Sequence, residues 1–301
     1  MADRKFKGGS FLNRYRITGI LKTISHLNIG DGLMDSNELR VKQKEGEDVP
    51  KFSTVMTDYR NRAYIPGTTI KGNLRCWLEQ IFSDLMLTTI NTPKRAEDLQ
   101  DLFKKNKNSN IILHDFLQKG EYLFGSSVNE GKLEFWDAPM NTPPPINQNQ
   151  TLAYSGYDQT RGTILLKSVA IDPETGTAAK NRLFNYEVVP QGMTFEITVC
   201  GQNLLPDELG MLLFALDGFN SEIYPVTLGA MGGVGFGRCR FSIKEIFYLD
   251  KNNYEAWIQS AIQSGHAGYN GLPKLAKEEQ EKMIEDFRKS FAALLPKKGA
   301  S

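Results

Sequence analysis

The chain has 301 residues, of which 40% are hydrophobic and 24% are charged, and its formal net charge at pH 7 is +1. A chain of this length can bury one large core or two small ones. It contains no apolar run long enough to span a membrane, and its N-terminus lacks the hydrophobic region of a signal peptide. No contact with a membrane is therefore expected.

Three isolated cysteines argue against both a disulfide framework and a zinc site. They are Cys76, Cys200 and Cys239. A reducing cytoplasm is the expected location. The net charge does not favour a strongly basic nucleic-acid binder. The first 22 residues nevertheless carry six cations against one acid, so the charge distribution still allows a local basic groove.

The chain opens with two predicted strands separated by a polar loop. Residues 15–24 place Tyr15, Ile17 and Leu21 on one side, which is typical of a strand with one buried face. The loop covers residues 31–51, and a short strand over residues 54–57 follows it.

A turn then leads into a helix predicted over residues 69–87. The segment 65–75 reads IPGTTIKGNLR, in which proline and glycine favour a turn and Thr68 or Thr69 is expected to cap the helix. Lys71 and Arg75 lie four residues apart on one face, close to the unpaired N–H groups of the first turn. That arrangement suits a phosphate. The alternative is a buried helix with two solvated cations.

The middle of the chain predicts an insertion and a long hairpin. Residues 88–120 are rich in lysine, asparagine and aspartate and predict a partly helical insertion. Residues 162–188 predict the hairpin, whose turn at 172–176 has proline near its start and glycine at its end. A strand over 194–200 and a helix over 206–219 come next.

A glycine-rich loop over residues 229–238, GAMGGVGFGR, precedes a predicted strand over 238–247. Its glycines are too many for a helix or an ordinary strand, and they allow a ligand to approach bare backbone N–H groups. Arg238 and Arg240 would share one face of the strand. Four glycines are candidate ligand contacts: Gly232, Gly233, Gly235 and Gly237. The spacing is not that of a P-loop, and a purely structural turn is an equal alternative.

These elements predict an α+β fold. Two successive β-α-β units give a ferredoxin-like sheet, related to that of RNA-recognition motifs, over residues 1–250. Residues 251–301 form a predicted helical extension, in which residues 278–295 have the spacing of an amphipathic helix. We expect this helix to pack on the domain; the alternative is a contact with a neighbouring subunit.

The helix start at 65–75 and the glycine loop resemble the motifs of the RAMP superfamily, the repeat-associated proteins that build CRISPR effector complexes. Three further segments resemble the backbone subunits of type III complexes in particular. These segments are LFGSSVNEGKLEFWDA at 123–138, VAIDPETGTA at 169–178 and LFNYEVVPQG at 183–192. The resemblance runs from about Tyr15 to Phe247.

The resemblance implies a subunit that polymerises along one guide RNA and holds its backbone in a cleft beside the sheet. It places Lys71, Arg75, the glycine loop and Arg238 against guide phosphates, without reading of sequence. The hairpin corresponds to the family's thumb, which displaces one nucleotide of the guide–target duplex. The thumb tip comprises Ile171, Asp172 and Pro173. Four cations flank the thumb and would meet phosphates: Arg161, Lys167, Lys180 and Arg182. The implied partners are guide RNA, target RNA, other RAMP subunits and a large polymerase-like subunit.

Active family members cut target RNA with an aspartate in the loop before the helix, together with a divalent metal. Phe52 occupies the matching position here and can neither bind a metal nor accept a proton. Asp48 is the nearest acid. The family's LHIG sequence is altered to LNIG at 27–30, with His26 displaced. We therefore expect RNA binding to require no cofactor, and we assign no residue as a metal ligand. Mg²⁺ would be needed only if the chain acts as a nuclease.

Three hypotheses follow. The favoured one is a non-cleaving backbone subunit of a type III effector. The second is an active target-RNA endonuclease of the same fold that uses Asp48, with a guide-processing ribonuclease as a weaker version. The third is a self-contained RNA-binding or nucleotide-binding protein unrelated to CRISPR, although the sequence lacks the aromatic platform of independent RNA-binding sheets.

Overall fold

The computed structural model describes most of the chain. The described residues are 7, 10–35, 52–83, 88–105, 117–141, 157–263 and 273–295. The side chains of residues 35 and 178–183 are outside the description. Within the described part, no helix is both long enough and apolar enough to span a bilayer.

Ten strands and six helices are present in the described residues. The strands are β1 (Asn13–Thr23), β2 (Gly30–Asp35), β3 (Phe52–Val55), β4 (Tyr64–Ile65), β5 (Leu133–Phe135), β6 (Ala138–Pro139), β7 (Ile164–Ile171), β8 (Ala178–Val188), β9 (Thr194–Gln202) and β10 (Cys239–Asp250). The helices are α1 (Gly67–Phe82), α2 (Pro93–Lys105), α3 (Lys119–Phe124), α4 (Pro206–Asp217), α5 (Tyr254–Gln263) and α6 (Lys277–Ala292).

The main sheet has the strand order β10-β1-β9-β5, and all its neighbours are antiparallel. With α1 between β1 and β5 and α4 between β9 and β10, the chain follows the β-α-β-β-α-β sequence of ferredoxin-like folds. Ile17 pairs with Val199 on one side and Ile246 on the other, which fixes β1 in the middle of the sheet. The predicted α+β fold with an RRM-related sheet is confirmed.

One face of this sheet carries the core. Buried and half-buried residues alternate along β1, and Tyr15, Ile17 and Leu21 all lie on the buried face, as predicted. The apolar face of α1, with Ile70 and Leu74 fully buried, and most of α4 belong to the same cluster. The two helices thus cover one face of the sheet, and the charged face of β1 points away from them.

A second sheet with the order β2-β3-β8-β7 carries the predicted hairpin. β7 and β8 pair from Ile164↔Val188 to Ile171↔Ala178. The turn is closed by Asp172, whose Oδ1 accepts the N–H groups of Glu174 at 2.8 Å and Thr175 at 3.3 Å. β3 joins the hairpin by running parallel to β8, with Ser53 opposite Tyr186.

The C-terminal helix α6 packs against α4. Phe291 is buried, and its ring lies 5.4 Å from the ring of Phe214. The helices come so close that a Cβ atom on Gly210 would lie 2.3 Å from the carbonyl oxygen of Phe287. This close approach explains a glycine in the middle of a helix.

The element boundaries differ from the prediction at several points. Strand β2 begins where the polar loop was predicted, because its backbone pairs with β3 although its sequence does not alternate. The strand predicted over 54–57 lies at Phe52–Val55, and α1 ends at Phe82 instead of residue 87. Helix α5 lies in the region that was described only as an extension.

Candidate nucleic-acid interface

The start of α1 is held by a residue far away in sequence. The helix begins at Gly67, with Pro66 as its N-cap and no side-chain cap. The predicted cap by Thr68 or Thr69 is therefore wrong, because both threonines lie inside the first turn. Asp137 instead accepts the Gly67 N–H at 2.8 Å. A carboxylate of the protein itself thus accepts a hydrogen bond from the first N–H group of this helix.

Lys71 is partly buried and has no ion pair or hydrogen bond with the described residues. Burial lowers the pKa of its ammonium, and the nearby cations Arg75 and Lys7 lower it further, while Glu130 opposes them. A lysine in this setting gains from a bound anion, since an anion would replace the missing partner. Contact between Lys71 and RNA remains a prediction.

Arg75 is engaged by the protein. Its Nε donates to Glu79 at 2.7 Å, and its Nη1 donates to the carbonyl oxygen of Gly125 at 3.0 Å. It therefore ties α1 to the loop before β5. Since Lys71 also neighbours Glu130, the two cations of α1 face the segment 125–130, whereas the glycine loop contacts a different part of the chain.

The glycine loop contains glycines of two kinds. Gly229 and Gly237 have positive φ, and a Cβ atom on either would lie 2.1 Å from a backbone oxygen of Asn28 or Leu228 respectively, so the fold itself requires them. Gly232, Gly233 and Gly235 are exposed. Gly232 and Gly233 form part of a 3₁₀ turn (Gly232–Val234), and Gly235 follows it with φ +89°. A Cβ atom on Gly233 or Gly235 would meet no atom within 4 Å, so a ligand can approach there. The Gly235 N–H already donates to the Gly232 carbonyl oxygen at 2.9 Å, which leaves the N–H groups of Gly232 and Gly233 as the candidate donors.

The loop is fixed to the segment after β1. The N–H of Ala230 donates to the carbonyl oxygen of Asn28, and that of Gly237 donates to the carbonyl oxygen of His26, both at 2.8 Å. The ring of His26 lies edge-on to Phe236 at 5.6 Å. Burial lowers the pKa of His26, and its Nδ1 has no hydrogen-bond partner among the described residues. The displaced histidine thus lies directly against the glycine loop.

The buried residue Glu187 connects the segment after β1 to the root of the hairpin, which is the end of the β7–β8 pair nearest the main body of the protein. Glu187 is 0% exposed and accepts hydrogen bonds from Arg161 at 2.7 and 2.8 Å, from the Thr163 hydroxyl at 2.6 Å and from the Val55 N–H at 3.0 Å. The Asn28 side chain donates to the Glu187 carbonyl oxygen at 2.8 Å. Sequence reasoning missed Glu187, since an isolated glutamate in a strand carries no local signal of burial.

The predicted phosphate contacts on the hairpin differ in their availability. All three guanidinium nitrogens of Arg161 donate to protein groups, the third one to Asn61 at 3.0 Å. Lys167 is exposed and forms no ion pair with the described residues. Arg182 belongs to β8, but its side chain lies outside the described part. Lys167 is therefore the available cation of the described hairpin.

The hairpin exposes apolar side chains near its end. Ile171 is 60% exposed, and Val169 and Phe184 are 45% exposed. Pro173 is also exposed, while Asp172 uses its carboxylate to close the turn. A protruding strand pair with bare apolar groups has the shape and chemistry of a wedge.

Arg238 is the last residue of the glycine loop. It is exposed and has no ion pair with the described residues, and the same holds for Arg240. The backbone of Arg238 is held by Ile24 and Ser25 at 2.8 and 3.0 Å, so the position is fixed while the guanidinium is not. This combination suits a phosphate contact.

The described residues around the predicted cleavage position provide no cluster of metal ligands. Asp48 lies outside the described residues. Phe52, at the position of the family's aspartate, is 0% exposed. Asp31 accepts hydrogen bonds from the Leu33 N–H and the Thr54 hydroxyl. Across the described ranges, His, Cys, Asp and Glu side chains do not gather in groups of three or more that could hold a metal ion.

Comparison with known proteins gives one clear result. No curated protein gives a significant match to the chain. The family model described as RAMP superfamily matches residues 20–240, which include both motifs and every binding residue discussed above. The chain therefore belongs to the RAMP superfamily, whose members are RNA-binding proteins of CRISPR RNA–protein complexes.

Proposed function

We propose that this chain is a guide-RNA-binding backbone subunit of a type III CRISPR effector complex, which holds the guide–target duplex without cutting it. One observation carries the proposal. The exposed glycines and Arg238 lie on a single loop, and hydrogen bonds through Asn28 connect this loop to the root of the hairpin. The groups that would grip the guide backbone and the groups that would part the duplex are thus connected by hydrogen bonds through one residue.

The chemistry of the loop suits an RNA backbone. The N–H groups of Gly232 and Gly233 and the cations Arg238 and Arg240 bind phosphates without reading bases, as a protein must when any guide sequence is to be accepted. The exposed apolar residues Ile171 and Phe184 would stack against bases that the hairpin displaces. Guide RNA, target RNA, other RAMP subunits and a large polymerase-like subunit are the partners in this proposal.

Substitution of Asp48 by alanine is expected to leave target cleavage unchanged. The position that matches the family's aspartate holds the buried side chain of Phe52, which cannot bind Mg²⁺. The measurement is the cut pattern of labelled complementary RNA in the reconstituted guide complex with magnesium, for wild type and Asp48→Ala. Loss of one cut site in the variant would reject the non-cleaving proposal and favour a metal-dependent endonuclease that uses Asp48.

Substitution of Gly233 by alanine is expected to weaken guide binding about tenfold while unfolding free energy changes by less than about 0.5 kcal/mol. No atom lies within 4 Å of the added Cβ, so only an approaching ligand meets it. Gly237→Ala is the contrasting variant. It combines φ +82° with a Cβ only 2.1 Å from a carbonyl oxygen, and we expect a loss of more than about 2 kcal/mol.

Denaturant unfolding and fluorescence anisotropy with labelled guide RNA measure the two effects separately. Unchanged RNA affinity of Gly233→Ala would show that no phosphate approaches this part of the loop.

A further inference from the structure

Helices α1 and α4 cover one face of the main sheet, and the face turned away from them, which we call the outer face, carries cations next to the glycine loop. Buried residues alternate with accessible ones along β1, so Lys22 lies on the outer face. Arg240 is exposed between two buried residues of β10 and pairs directly with Lys22. Like charges in such a cross-strand pair, about 5 Å apart at Cβ, repel each other. The charges of Lys22 and Arg240 therefore contribute nothing favourable to the sheet.

Arg238 extends this pair to a cluster of three cations. It lies two residues before Arg240 on the same side of the chain, which corresponds to about 7 Å along an extended strand. Its carbonyl oxygen accepts the N–H of Ile24 at 2.8 Å, so Arg238 lies beside β1 as well. All three cations are exposed, and their side chains form no ion pair and no hydrogen bond with the described residues.

The carboxylates on the outer face have cationic partners of their own. Strands β5, β9 and β10 place three carboxylates on this face, those of Glu134, Glu196 and Glu245. Their partners are, in the same order, Arg14 at 2.8 Å, Lys244 at 3.9 Å and Lys274 at 2.5 Å. These acids are engaged elsewhere, so the cluster of Lys22, Arg238 and Arg240 keeps its positive charge.

The cluster is continuous with the exposed part of the glycine loop. Thr227 is exposed and pairs with Arg238 through an antiparallel bridge. A Cβ atom on Gly232 would lie 3.9 Å from the hydroxyl oxygen of Thr227. From the backbone of Gly232 the surface therefore leads past the Thr227 hydroxyl to the three cations.

An extended polyanion fits this surface better than a small anion does. The groups from Gly232 to Lys22 extend over roughly 15 Å, since each step between neighbours is about 5–7 Å. Such steps are comparable with the distance between successive phosphates in a nucleic-acid strand. Three unpaired cations also exceed what a single phosphate needs for its charge, whereas a strand offers one phosphate to each of them.

We propose that the guide strand leaves the glycine loop across the outer face of the main sheet, where Arg238, Arg240 and Lys22 bind successive phosphates. The Thr227 hydroxyl donates to a phosphate oxygen between the loop and Arg238. The inference rests on the function proposed above, because it extends the path of the same guide RNA. Since α1 covers the opposite face of the sheet, Lys71 would have to contact a different part of the RNA.

Replacement of Lys22 by glutamine tests the path by charge. Fluorescence anisotropy of a labelled guide RNA with the full-length chain should show a Kd about fivefold higher, and the slope of log K against log salt should fall by about one. Lys244→Gln is the matched control on the same face, because Glu196 at 3.9 Å already offsets its charge, and it should change neither quantity. Lys22→Gln relieves a like-charge pair, so its Tm should equal or exceed that of wild type.

A photocrosslink tests the path without a change of charge. Ile24 is 40% exposed and lies beside Arg238. Its replacement by p-benzoylphenylalanine should crosslink the chain to the labelled guide. The same replacement at Ile262, which is 70% exposed in α5 beyond the far end of β10, should give no crosslink.

The outcomes separate this inference from the proposed function. The path across the outer face is wrong if Lys22→Gln keeps the Kd or the salt slope of wild type, or if position 24 gives no crosslink. If Arg238→Glu still weakens guide binding in that case, the proposed function stands, and the remaining cations are left for an acidic protein surface. If neither Lys22→Gln nor Arg238→Glu weakens guide binding, the proposed function fails together with the path.

Discussion

Charge reversal at Arg238 is expected to weaken guide binding by at least about tenfold. The guanidinium is exposed and free of ion pairs in the described part of the chain, so the substitution removes no contact of the fold. Its backbone stays anchored to Ile24 and Ser25. Arg238→Glu therefore acts on the RNA alone: it removes one attraction to a phosphate and introduces a repulsion.

The dependence of guide affinity on salt concentration shows whether Arg238 contacts a phosphate. Each phosphate contact releases counterions, so the slope of log K against log salt should fall by about one for the lost contact. The loss of affinity should also be equal for guides of different sequence, because phosphates are the same in all of them. Fluorescence anisotropy with two unrelated labelled guides over a salt series measures both quantities.

Lys251→Glu provides the control. Lys251 is exposed and comes directly after β10, whereas Arg238 comes directly before it. The two positions are separated by the length of the strand, roughly 40 Å at about 3.3 Å per residue. An unchanged slope for Arg238→Glu, or a loss that depends on guide sequence, would point to base recognition and to a self-contained RNA-binding protein.

Local patterns predicted the parts of the fold that local chemistry determines. Alternation along β1 gave the buried face, because side chains of a strand point to opposite sides in turn. The hairpin turn followed from proline and glycine, and Gly176 indeed adopts φ +66°. The glycine-rich composition indicated exposed backbone at residues 232–235, where the structure shows it.

Contacts between distant segments could not be predicted in the same way. Asp137 binds the start of α1 although 70 residues separate it from Gly67, and nothing near Gly67 in sequence indicates this partner. Strand β2 exposes Leu33 and Met34, so its sequence shows no buried face, and only pairing with β3 makes it a strand.

The same limit applies to the cations of the candidate site. Arg75 and Arg238 lie in motifs, Arg161 flanks the predicted hairpin, and all three carry the same charge, so the sequence alone gives no reason to prefer one of them as a phosphate ligand. In the structure two of them are engaged by Gly125 or Glu187, and the guanidinium of Arg238 is free in the described residues. The residue type predicts that an arginine can bind a phosphate. Its contacts with distant parts of the chain determine whether its guanidinium is still free to do so.

Replacement of Glu187 by alanine is expected to lower the free energy of unfolding by about 3–5 kcal/mol. Its carboxylate is inaccessible to water and accepts hydrogen bonds from Arg161, Thr163 and the Val55 N–H. Alanine would leave a largely buried guanidinium and two further donors without their acceptor. Denaturant unfolding of the full-length chain measures the loss, and Glu174→Ala at the exposed hairpin turn is the control.

The loss of stability caused by Glu187→Ala should be greatest at the root of the hairpin. Glu187 connects β8 to β3 and to Arg161, so amide hydrogen exchange should rise in residues 164–171 and 184–188 more than in the main sheet. Guide affinity should fall as well, since Asn28 connects the same strand to the glycine loop. A uniform rise in exchange would show that Glu187 stabilises the whole domain equally.

A double-mutant cycle identifies the cause of the loss. If the cost arises mainly from the buried guanidinium left unpaired, Arg161→Met combined with Glu187→Ala should be less destabilising than the sum of the two single changes. Additive losses would contradict that explanation and assign the effect to Thr163 and Val55 instead. In either case Arg161 can serve as a phosphate ligand only at the expense of the hairpin root, which leaves Lys167 as the available cation of the described hairpin.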